Sequence, residues 1–285
     1  MLAAVVIGGL LISRAFPSFA PRSIVAGGPA AISIDAATGL PAVQVTVNGH
    51  GPYLFLADTG AAATVVTADL ARELGLGQGI GISVGRPGGL GTSSGRVAHV
   101  DHMTVGTTLL NDLDVVVLDL SAVWTGDAGP RGVLSLVTLR DVLVTIDLAA
   151  RTLAVTSGAL SVPDGIATFG WADGSPIPTM TIEIGGMPTV AAVDTGSTFA
   201  FTLPDRYAAT LALLRPPVAG PGDRGVDGTL ATRTATLADP VRVAGRAVDA
   251  PKVSFADVPR AKVGFAALGG RRLVIDAAQR RLRVD

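Results

Sequence analysis

The sequence predicts an all-β protein made of two similar halves, with short helices. Three observations support this prediction. The 36 Gly and 18 Pro residues interrupt the chain at close intervals, which favours many short strands over long helices. Apolar and polar residues alternate in several segments, as they do in half-buried strands. The same order of segments then occurs twice along the 285 residues.

The repeat begins with an alternating strand that is entered through a proline. Residues 40–47 (LPAVQVTV) and 177–184 (IPTMTIEI) both show this pattern. A turn that contains Gly follows each segment, and a second apolar strand then completes a hairpin. Each second strand runs directly into Asp-Thr-Gly, at 58–60 in the first half and at 194–196 in the second.

The correspondence continues past the two triplets. Asp69 and Asp205 lie at the same distance after their triplets, and we expect a short helix to begin near each of them. Thr67 can cap the first helix, because its hydroxyl can accept a hydrogen bond from a free backbone N–H. Pro204 suits the first turn of the second helix, where a missing N–H costs nothing.

Matching Ile-Asp strands at 146–153 and 275–282 close the two halves. The boundary is placed in 156–167, which carries Ser, Gly, Pro and Asp without a clear period. We therefore expect an N-terminal lobe at 21–160 and a C-terminal lobe at 161–285. An ordinary β-sandwich whose halves resemble each other by chance is the alternative fold.

The first twenty residues have features of a secretory signal. Residues 2–12 are apolar, and Ser-Phe-Ala at 18–20 supplies small residues where a signal peptidase cleaves. We expect residues 1–20 to be a signal peptide and the protein to be secreted or periplasmic. The segment lacks an early positive charge, which leaves open an uncleaved membrane anchor or a disordered or packed N-terminus.

Composition argues against several other classes of protein. Lys and Arg number 22 against 23 Asp and Glu, so the chain lacks the positive excess that nucleic-acid binding usually needs. There is no Cys, which excludes thiol nucleophiles and thiolate metal sites. The lysines, Lys252 and Lys262, are each followed by Val, so no phosphate-binding loop is present.

Two further patterns are weak candidates for other chemistry. Ser93 lies in Gly-Thr-Ser-Ser-Gly, but no strand-turn-helix pattern surrounds it, as a serine hydrolase would require. His99 and His102 are three residues apart on a predicted strand, which places them on opposite faces. We expect solvated or hydrogen-bonded histidines and no metal site.

Asp58 and Asp194, the first residues of the two triplets, are the candidate catalytic residues. One carboxylate after an apolar strand is usually structural and must be satisfied by hydrogen bonds. A pseudo-two-fold axis between two such loops would bring both carboxyls together. Two carboxyls about 3 Å apart share one proton, so a water between them meets a base and an acid.

The other triplet residues are candidates for supporting these carboxyls. Gly60 and Gly196 permit a tight turn that aims backbone N–H groups at the carboxylate. Thr59 and Thr195 have hydroxyls that can tie one loop to its neighbour. We expect these four residues to hold the two loops in place.

On these motifs the chain resembles the aspartic peptidases, especially the bacterial retropepsin-like proteins, with two lobes arranged as in pepsin. The likeness covers residues 40–285. It implies two six-stranded barrel-like lobes and an endopeptidase that binds a peptide or protein substrate in the cleft between the lobes and needs no cofactor. It also implies a monomer, since one chain holds both triplets; a homodimer with one active lobe is disfavoured.

The family pattern places apolar residues and a Gly behind each catalytic loop. Leu134 and Ser135 occupy these positions in the first half, and Val263 and Gly264 in the second. Ser135 in place of Gly, and Lys262 at a normally apolar position, depart from the pattern. These departures leave open a catalytically impaired peptide-binding protein with the same fold.

The family also covers its cleft with Gly-rich hairpins, called flaps. The segments 85–95 and 220–228 are the candidates, and two merely flexible surface loops are the alternative. The residues expected to contact substrate are Gly88, Gly89, Gly91, Gly225 and Gly228.

The residue after each triplet differs between the halves. Ser197 follows the second triplet, whereas Ala61 follows the first. A Ser there can donate a hydrogen bond to the outer oxygen of Asp194, which would favour its charged form. Our hypothesis is therefore that Asp194 more often carries the charge and Asp58 the proton.

Overall fold

The computed structural model describes residues 19–77, 79–85, 91–124 and 129–285, and strands dominate it. The helices in this part of the chain are α1 (Ala68–Glu73), α2 (Phe265–Leu268) and one 3-10 helix (Asp205–Ala209). The predicted all-β class is confirmed. None of the described helices is long and apolar enough to cross a membrane.

Eleven strands precede residue 160. They are β1 (Ser23–Val25), β2 (Ala30–Ile34), β3 (Pro41–Val47), β4 (His50–Asp58), β5 (Val65–Thr67), β6 (Gly81–Val84), β7 (Ser93–Val105), β8 (Thr108–Leu118), β9 (Gly132–Ser135), β10 (Leu143–Asp147) and β11 (Thr152–Thr156).

Fourteen strands follow in the second half. They are β12 (Thr168–Gly170), β13 (Thr179–Ile184), β14 (Met187–Asp194), β15 (Phe201–Pro204), β16 (Val218–Ala219), β17 (Asp223–Gly225), β18 (Gly228–Leu230), β19 (Thr232–Thr236), β20 (Val241–Val243), β21 (Arg246–Val248), β22 (Lys252–Ala256), β23 (Ala261–Gly264), β24 (Arg272–Asp276) and β25 (Arg281–Val284).

Six strands of the N-terminal lobe close into a ring. The pairing runs β3-β4-β9-β5-β8-β7, and β7 returns to β3 through the register pair Val45 and Val105. The long hairpin of β7 and β8 turns at Gly106, whose φ of 60° suits glycine. The ring leaves the end of β4, where Asp58 lies, beside β9.

The C-terminal lobe uses the same order of pairing with shorter strands. Here the order is β13-β14-β23-β15-β22-β19, and β20 pairs with β13 where β7 pairs with β3 in the other lobe. The counterpart of β7 is divided into β19 and β20, and that of β8 into β21 and β22. Pro240 and Pro251 lie in the two interruptions, where proline cannot donate to a strand ladder.

The two lobes also share a sheet. Its order is β12-β25-β24-β10-β11-β2, and β10 pairs with β24 through Val144 and Ile275. The prediction of one closing strand each at 146–153 and 275–282 is wrong, because each segment forms a turn between two paired strands. The turns form at Arg151 and Arg280, whose φ angles of 54° and 52° are left-handed.

The predicted short helices are present after both triplets. Thr67 caps α1, since its Oγ1 accepts a hydrogen bond from the backbone N of Leu70 at 3.3 Å. The 3-10 helix begins at Asp205, directly after Pro204. The division of the lobes at 160/161 falls between β11 and β12 and stays a prediction.

Candidate active site

Asp58 and Asp194 occupy equivalent positions in the two lobes. Asp58 ends β4 and is in register with Ser135 of β9, whereas Asp194 ends β14 and is in register with Gly264 of β23. Both pairings are parallel, and both carboxyl-bearing residues are 0% exposed. The repeated sequence therefore builds the same buried strand end twice.

One backbone nitrogen contacts both carboxyl groups. Gly196 N lies 3.1 Å from Oδ1 of Asp58 and 3.1 Å from Oδ1 of Asp194. Gly60 N donates to Oδ1 of Asp58 at 2.6 Å. A Cβ on Gly196 would lie 2.5 Å from Oδ2 of Asp58, so a side chain there would collide with the carboxyl of the opposite lobe. The two carboxyls are thus near neighbours.

Reciprocal hydrogen bonds tie the two loops together. Thr59 N donates to Thr195 Oγ1, and Thr195 N donates to Thr59 Oγ1, each at 3.0 Å. Thr59 Oγ1 then donates to the carbonyl of Val193 at 2.7 Å, and Thr195 Oγ1 to that of Ala57 at 2.8 Å. All of these groups are buried, so breaking one bond would leave unpaired polar atoms in the interior.

Burial raises the pKa of both aspartates. The pKa of Asp58 lies well above its ordinary value, because the group is buried and because Asp194 is close. The pKa of Asp194 is also raised by burial, but the Lys262 ammonium opposes this effect and Asp223 adds to it. These directions favour Asp58 as the member of the pair that holds the proton, although the two titrate as a unit.

Lys262 reaches the carboxyl pair from β23. Its Nζ lies 3.7 Å from Asp194 Oδ2, and its side chain is 13% exposed. In the sequence alone, Lys262 stands out only as a departure at a normally apolar position. The strand register carries the missing signal, because Lys262 pairs with Ala192, which shares a strand face with Asp194 two residues later.

Ser197 contributes backbone groups to the site. Its N donates to the Asp194 carbonyl at 3.2 Å, and its own carbonyl accepts from Phe265 N at 2.9 Å. Within the described part of the chain, its hydroxyl makes no hydrogen bond to the Asp194 carboxylate. The expected hydroxyl bond to Asp194 is therefore not found in this structure.

Behind the N-terminal loop, Ser135 takes part in the hydrogen bonding. Its Oγ donates to the Ala61 carbonyl at 2.7 Å, and its N donates to Thr64 Oγ1 at 3.2 Å. The preceding Leu134 is fully buried. Ser135 thus fills the position of the expected glycine with a side chain that binds the loop.

Behind the C-terminal loop there is no room for such a side chain. A Cβ on Gly264 would lie 1.9 Å from the Phe199 carbonyl oxygen, a backbone atom that cannot move aside alone. Gly264 N donates to the Ala200 carbonyl at 2.9 Å, and Val263 before it is fully buried. Only glycine fits this close approach.

The comparisons with known proteins agree with this architecture. Residues 43–138 match the family model Asp_protease_2, described as aspartyl protease. The crystal structure of an aspartic proteinase from Irpex lacteus aligns with a TM-score of 0.51 and 14% identity, over 92% of this chain and 97% of that one. The predicted resemblance to the aspartic peptidases is confirmed.

Two other comparisons gave the following results. The EIAV protease complexed with the inhibitor HBY-793 aligns at 24% identity over 32% of this chain and 84% of that chain, with a TM-score of 0.28. A search of curated proteins gave no match.

Antiparallel strand pairs lie at both predicted flap segments. The hairpin of β6 and β7 includes Gly91 just before β7, whereas Gly88 and Gly89 lie outside the described residues. Gly225 ends β17, and Gly228 begins β18. Their contact with substrate stays a prediction.

The two hairpins touch each other. Ser93 Oγ, at the start of β7, donates to the carbonyl of Val226 at the tip between β17 and β18. Val226 is buried in an apolar cluster whose other buried members all lie between residues 19 and 133. A segment of the C-terminal lobe therefore crosses to the N-terminal lobe.

His99, one of the two histidines predicted to be solvated or hydrogen-bonded, lies among carboxylates. His99 Nδ1 is 3.2 Å from Asp114 Oδ1 on the neighbouring strand β8, and both side chains are partly exposed. Over the described residues, no group of three or more His, Cys, Asp or Glu side chains is arranged to hold a metal ion.

Proposed function

We propose that this protein is an aspartic endopeptidase in which Asp58 and Asp194 activate one water molecule to hydrolyse a peptide bond. The observation that carries the proposal is the shared contact of Gly196 N with both carboxyls, at 3.1 Å each. The aspartyl protease match over residues 43–138 and the aspartic-protease fold support it.

The raised pKa of Asp58 and the cation beside Asp194 suggest how the two carboxyls divide the work. The ionised Asp194 accepts a proton from the water molecule as the water oxygen attacks the scissile carbonyl carbon. Asp58, protonated, donates to the developing oxyanion. The C–N bond then breaks as the leaving nitrogen takes a proton, and the pair returns to one shared proton.

A substrate would bind as an extended peptide beneath the two hairpins. Strand addition to their backbone would supply affinity, and side-chain pockets would supply specificity. Both carboxyls are 0% exposed, and the two hairpins contact each other through Ser93 and Val226. We therefore propose that separation of the two hairpins precedes substrate binding.

Other parts of the proposal concern assembly and location. A single copy of the chain carries both carboxyls, so we propose a monomer as the active form, with no nucleic-acid partner. Secretion or export to the periplasm is also proposed, with membrane attachment only if the N-terminal segment stays uncleaved. That segment lies largely outside the described residues.

Two isosteric substitutions test the mechanism. The protein is incubated with a denatured protein between about pH 3 and pH 7, and the new chain ends are counted. Asp58→Asn and Asp194→Asn should each lower cleavage by at least about 100-fold, since each removes a proton-transfer group. Asp69→Asn on α1, whose carboxylate is exposed, is the matched control and should cleave as the wild type does.

Circular dichroism of each variant establishes that it is folded. Undiminished cleavage by a folded Asp58→Asn or Asp194→Asn protein would refute the mechanism.

A second candidate function is peptide binding without turnover. The position of Lys262 favours it, because a cation 3.7 Å from Asp194 stabilises the doubly ionised pair, which lacks the proton that the reaction needs. Calorimetric binding of a peptide that remains intact across the same pH range would support this candidate over the endopeptidase.

A further inference from the structure

The two lobes present different side chains on the strand face that carries the catalytic carboxyls. Residues in register on neighbouring strands point to the same side of a sheet. In the N-terminal lobe every member of the row that adjoins Asp58 is buried and apolar. The row consists of Leu56, Val133, Val65, Val116 and Val97.

The corresponding row of the C-terminal lobe is mostly polar. It consists of Ala192, Lys262, Thr202, Ser254 and Thr234. Lys262 stands where the N-terminal lobe has Val133. Thr202 and Ser254 are 2% and 1% exposed, and Ser254 Oγ has no hydrogen-bond partner among the described residues. Lys262 therefore lies among buried polar side chains rather than aliphatic ones.

Lys262 extends along this face to the carboxyl pair. Its partner Ala192 precedes Asp194 by two residues, so both project to the same side of β14. The resulting distance from Nζ to Asp194 Oδ2 is 3.7 Å. Asp194 Oδ2 accepts no hydrogen bond from the described residues, and within that part of the chain the Lys262 ammonium is the cation that lies within 4 Å of it.

Three carboxyls interact electrostatically at this site. Asp194 approaches from β14 and Asp58 from the end of β4, and Asp223 acts on Asp194 from β17. Each is nearly or fully buried. Like charges held together in the interior disfavour ionisation, and an opposite charge restores it. The Lys262 side chain is only 13% exposed, so water screens its charge only weakly.

We propose that Lys262 is a positioning residue that keeps Asp194 ionised, and thereby makes Asp194 the base and Asp58 the acid of the pair. This inference rests on the proposed endopeptidase function. It also attributes the charge on Asp194 to the Lys262 ammonium, whereas the hypothesis from the sequence attributes that charge to the Ser197 hydroxyl. The same ammonium lowers the pKa of both carboxyls; it is the leading lowering influence on Asp194 and the last on Asp58.

The pH dependence of cleavage is the first test. Lys262→Met removes the charge while keeping a long side chain, so both carboxyls should protonate at higher pH. The acid limb and the alkaline limb of the pH–rate profile should both move upward, the acid limb by about one to three pH units. Lys262→Arg retains the charge and should keep the limbs near their wild-type positions.

Lys252→Met is the matched control. Lys252, the other lysine of the chain, is exposed on β22 and lies outside the site. Its loss should leave both the rate and the profile unchanged. A Lys262→Met protein whose limbs stay where the wild type has them, whatever its rate, would overturn the proposal.

A second measurement does not depend on turnover. With ¹⁵N at lysine Nζ, the chain gives two ammonium signals, because it contains two lysines. The Lys262 signal should shift with pH as Asp194 titrates, and this step should vanish in Asp194→Asn. The Lys252 signal should lack the step in both proteins.

The two measurements separate the two proposals. A wild-type protein that cleaves nothing but shows the Lys262 titration would reject the peptidase and retain the ion pair. A Lys262 signal that titrates identically in wild type and Asp194→Asn would reject the ion pair, even in an active peptidase.

Discussion

The two lobes share one order of strand pairing but differ in how their barrels are closed. In the N-terminal lobe β7 and β8 are continuous strands of 13 and 11 residues. Their counterparts are divided, into β19 and β20 with 5 and 3 residues, and β21 and β22 with 3 and 5. The interruptions contain Pro240 and Pro251.

The carboxyl loops are nevertheless almost alike. Thr59 and Thr195 each donate two hydrogen bonds to the opposite loop, one from the backbone N to the other threonine's Oγ1 and one from Oγ1 to a backbone carbonyl. The four bonds are 2.7 to 3.0 Å long. This comparison indicates that cross-lobe bonds of the loops, rather than the length of distant strands, fix the carboxyl pair. The lobes differ instead in the residues directly behind the loops.

The largest expected effect concerns packing behind the loops. Gly264→Ala should lower the free energy of unfolding by about 3 kcal/mol, because its Cβ would lie 1.9 Å from the Phe199 carbonyl oxygen. Ser135→Ala at the equivalent position should cost about 1 kcal/mol, the value of its hydrogen bond to Ala61. Urea unfolding of both variants measures the difference.

Ser135→Gly serves as the control that makes the two positions identical. If Gly264→Ala costs no more than Ser135→Ala, the loops are packed equally and the asymmetry described here is absent.

A smaller effect distinguishes the two carboxyls by their pH-dependent stability. Burial and the neighbouring Asp194 raise the pKa of Asp58 in the folded protein. A carboxyl with a raised folded pKa stabilises the fold fully below its unfolded pKa, about 4, and this stabilisation is lost as pH rises through the folded pKa. Asp58→Asn removes that loss, so the free energy of unfolding of this variant should exceed the wild-type value at neutral pH and approach it as the pH falls toward about 4.

Asp194→Asn should gain less than Asp58→Asn. It also removes a raised pKa, but it leaves the Lys262 ammonium without its partner 3.7 Å away. Thermal unfolding at pH 4 and pH 7 compares the two variants with the wild type. Equal gains from both substitutions would show that Lys262 does not distinguish the carboxyls.

Local patterns in the sequence were enough to predict much of the fold. Alternation at 40–47 and 177–184 predicted β3 and β13, and the hydroxyl of Thr67 predicted the start of α1. These features depend on neighbours within a few residues. The repeat of Asp-Thr-Gly then indicated which two loops to compare.

Features that depend on register could not be predicted in this way. The sequence pattern of the closing segments predicts single strands, because residues such as Arg151 give no local sign that the chain turns there. The contact of Lys262 with Asp194 requires the pairing of β23 with β14, which joins residues far apart in sequence. The sequence predicts a hydrogen bond from the Ser197 hydroxyl to the Asp194 carboxylate. The direction of the side chain decides whether this bond forms, and neighbouring residues in the sequence do not determine that direction.

The smallest expected effect is that of Ser254→Ala, in the polar row of the C-terminal lobe. Ser254→Ala removes a buried hydroxyl without a hydrogen-bond partner among the described residues, so the free energy of unfolding should rise by up to about 1 kcal/mol. The equivalent position in the apolar row of the N-terminal lobe is Val116, and the nearly isosteric substitution Val116→Thr places a hydroxyl there. That change should lower the free energy of unfolding by about 1 to 3 kcal/mol. A loss of stability in Ser254→Ala would mean that its hydroxyl is satisfied in solution, and the two rows would then differ less in polarity than their sequences indicate.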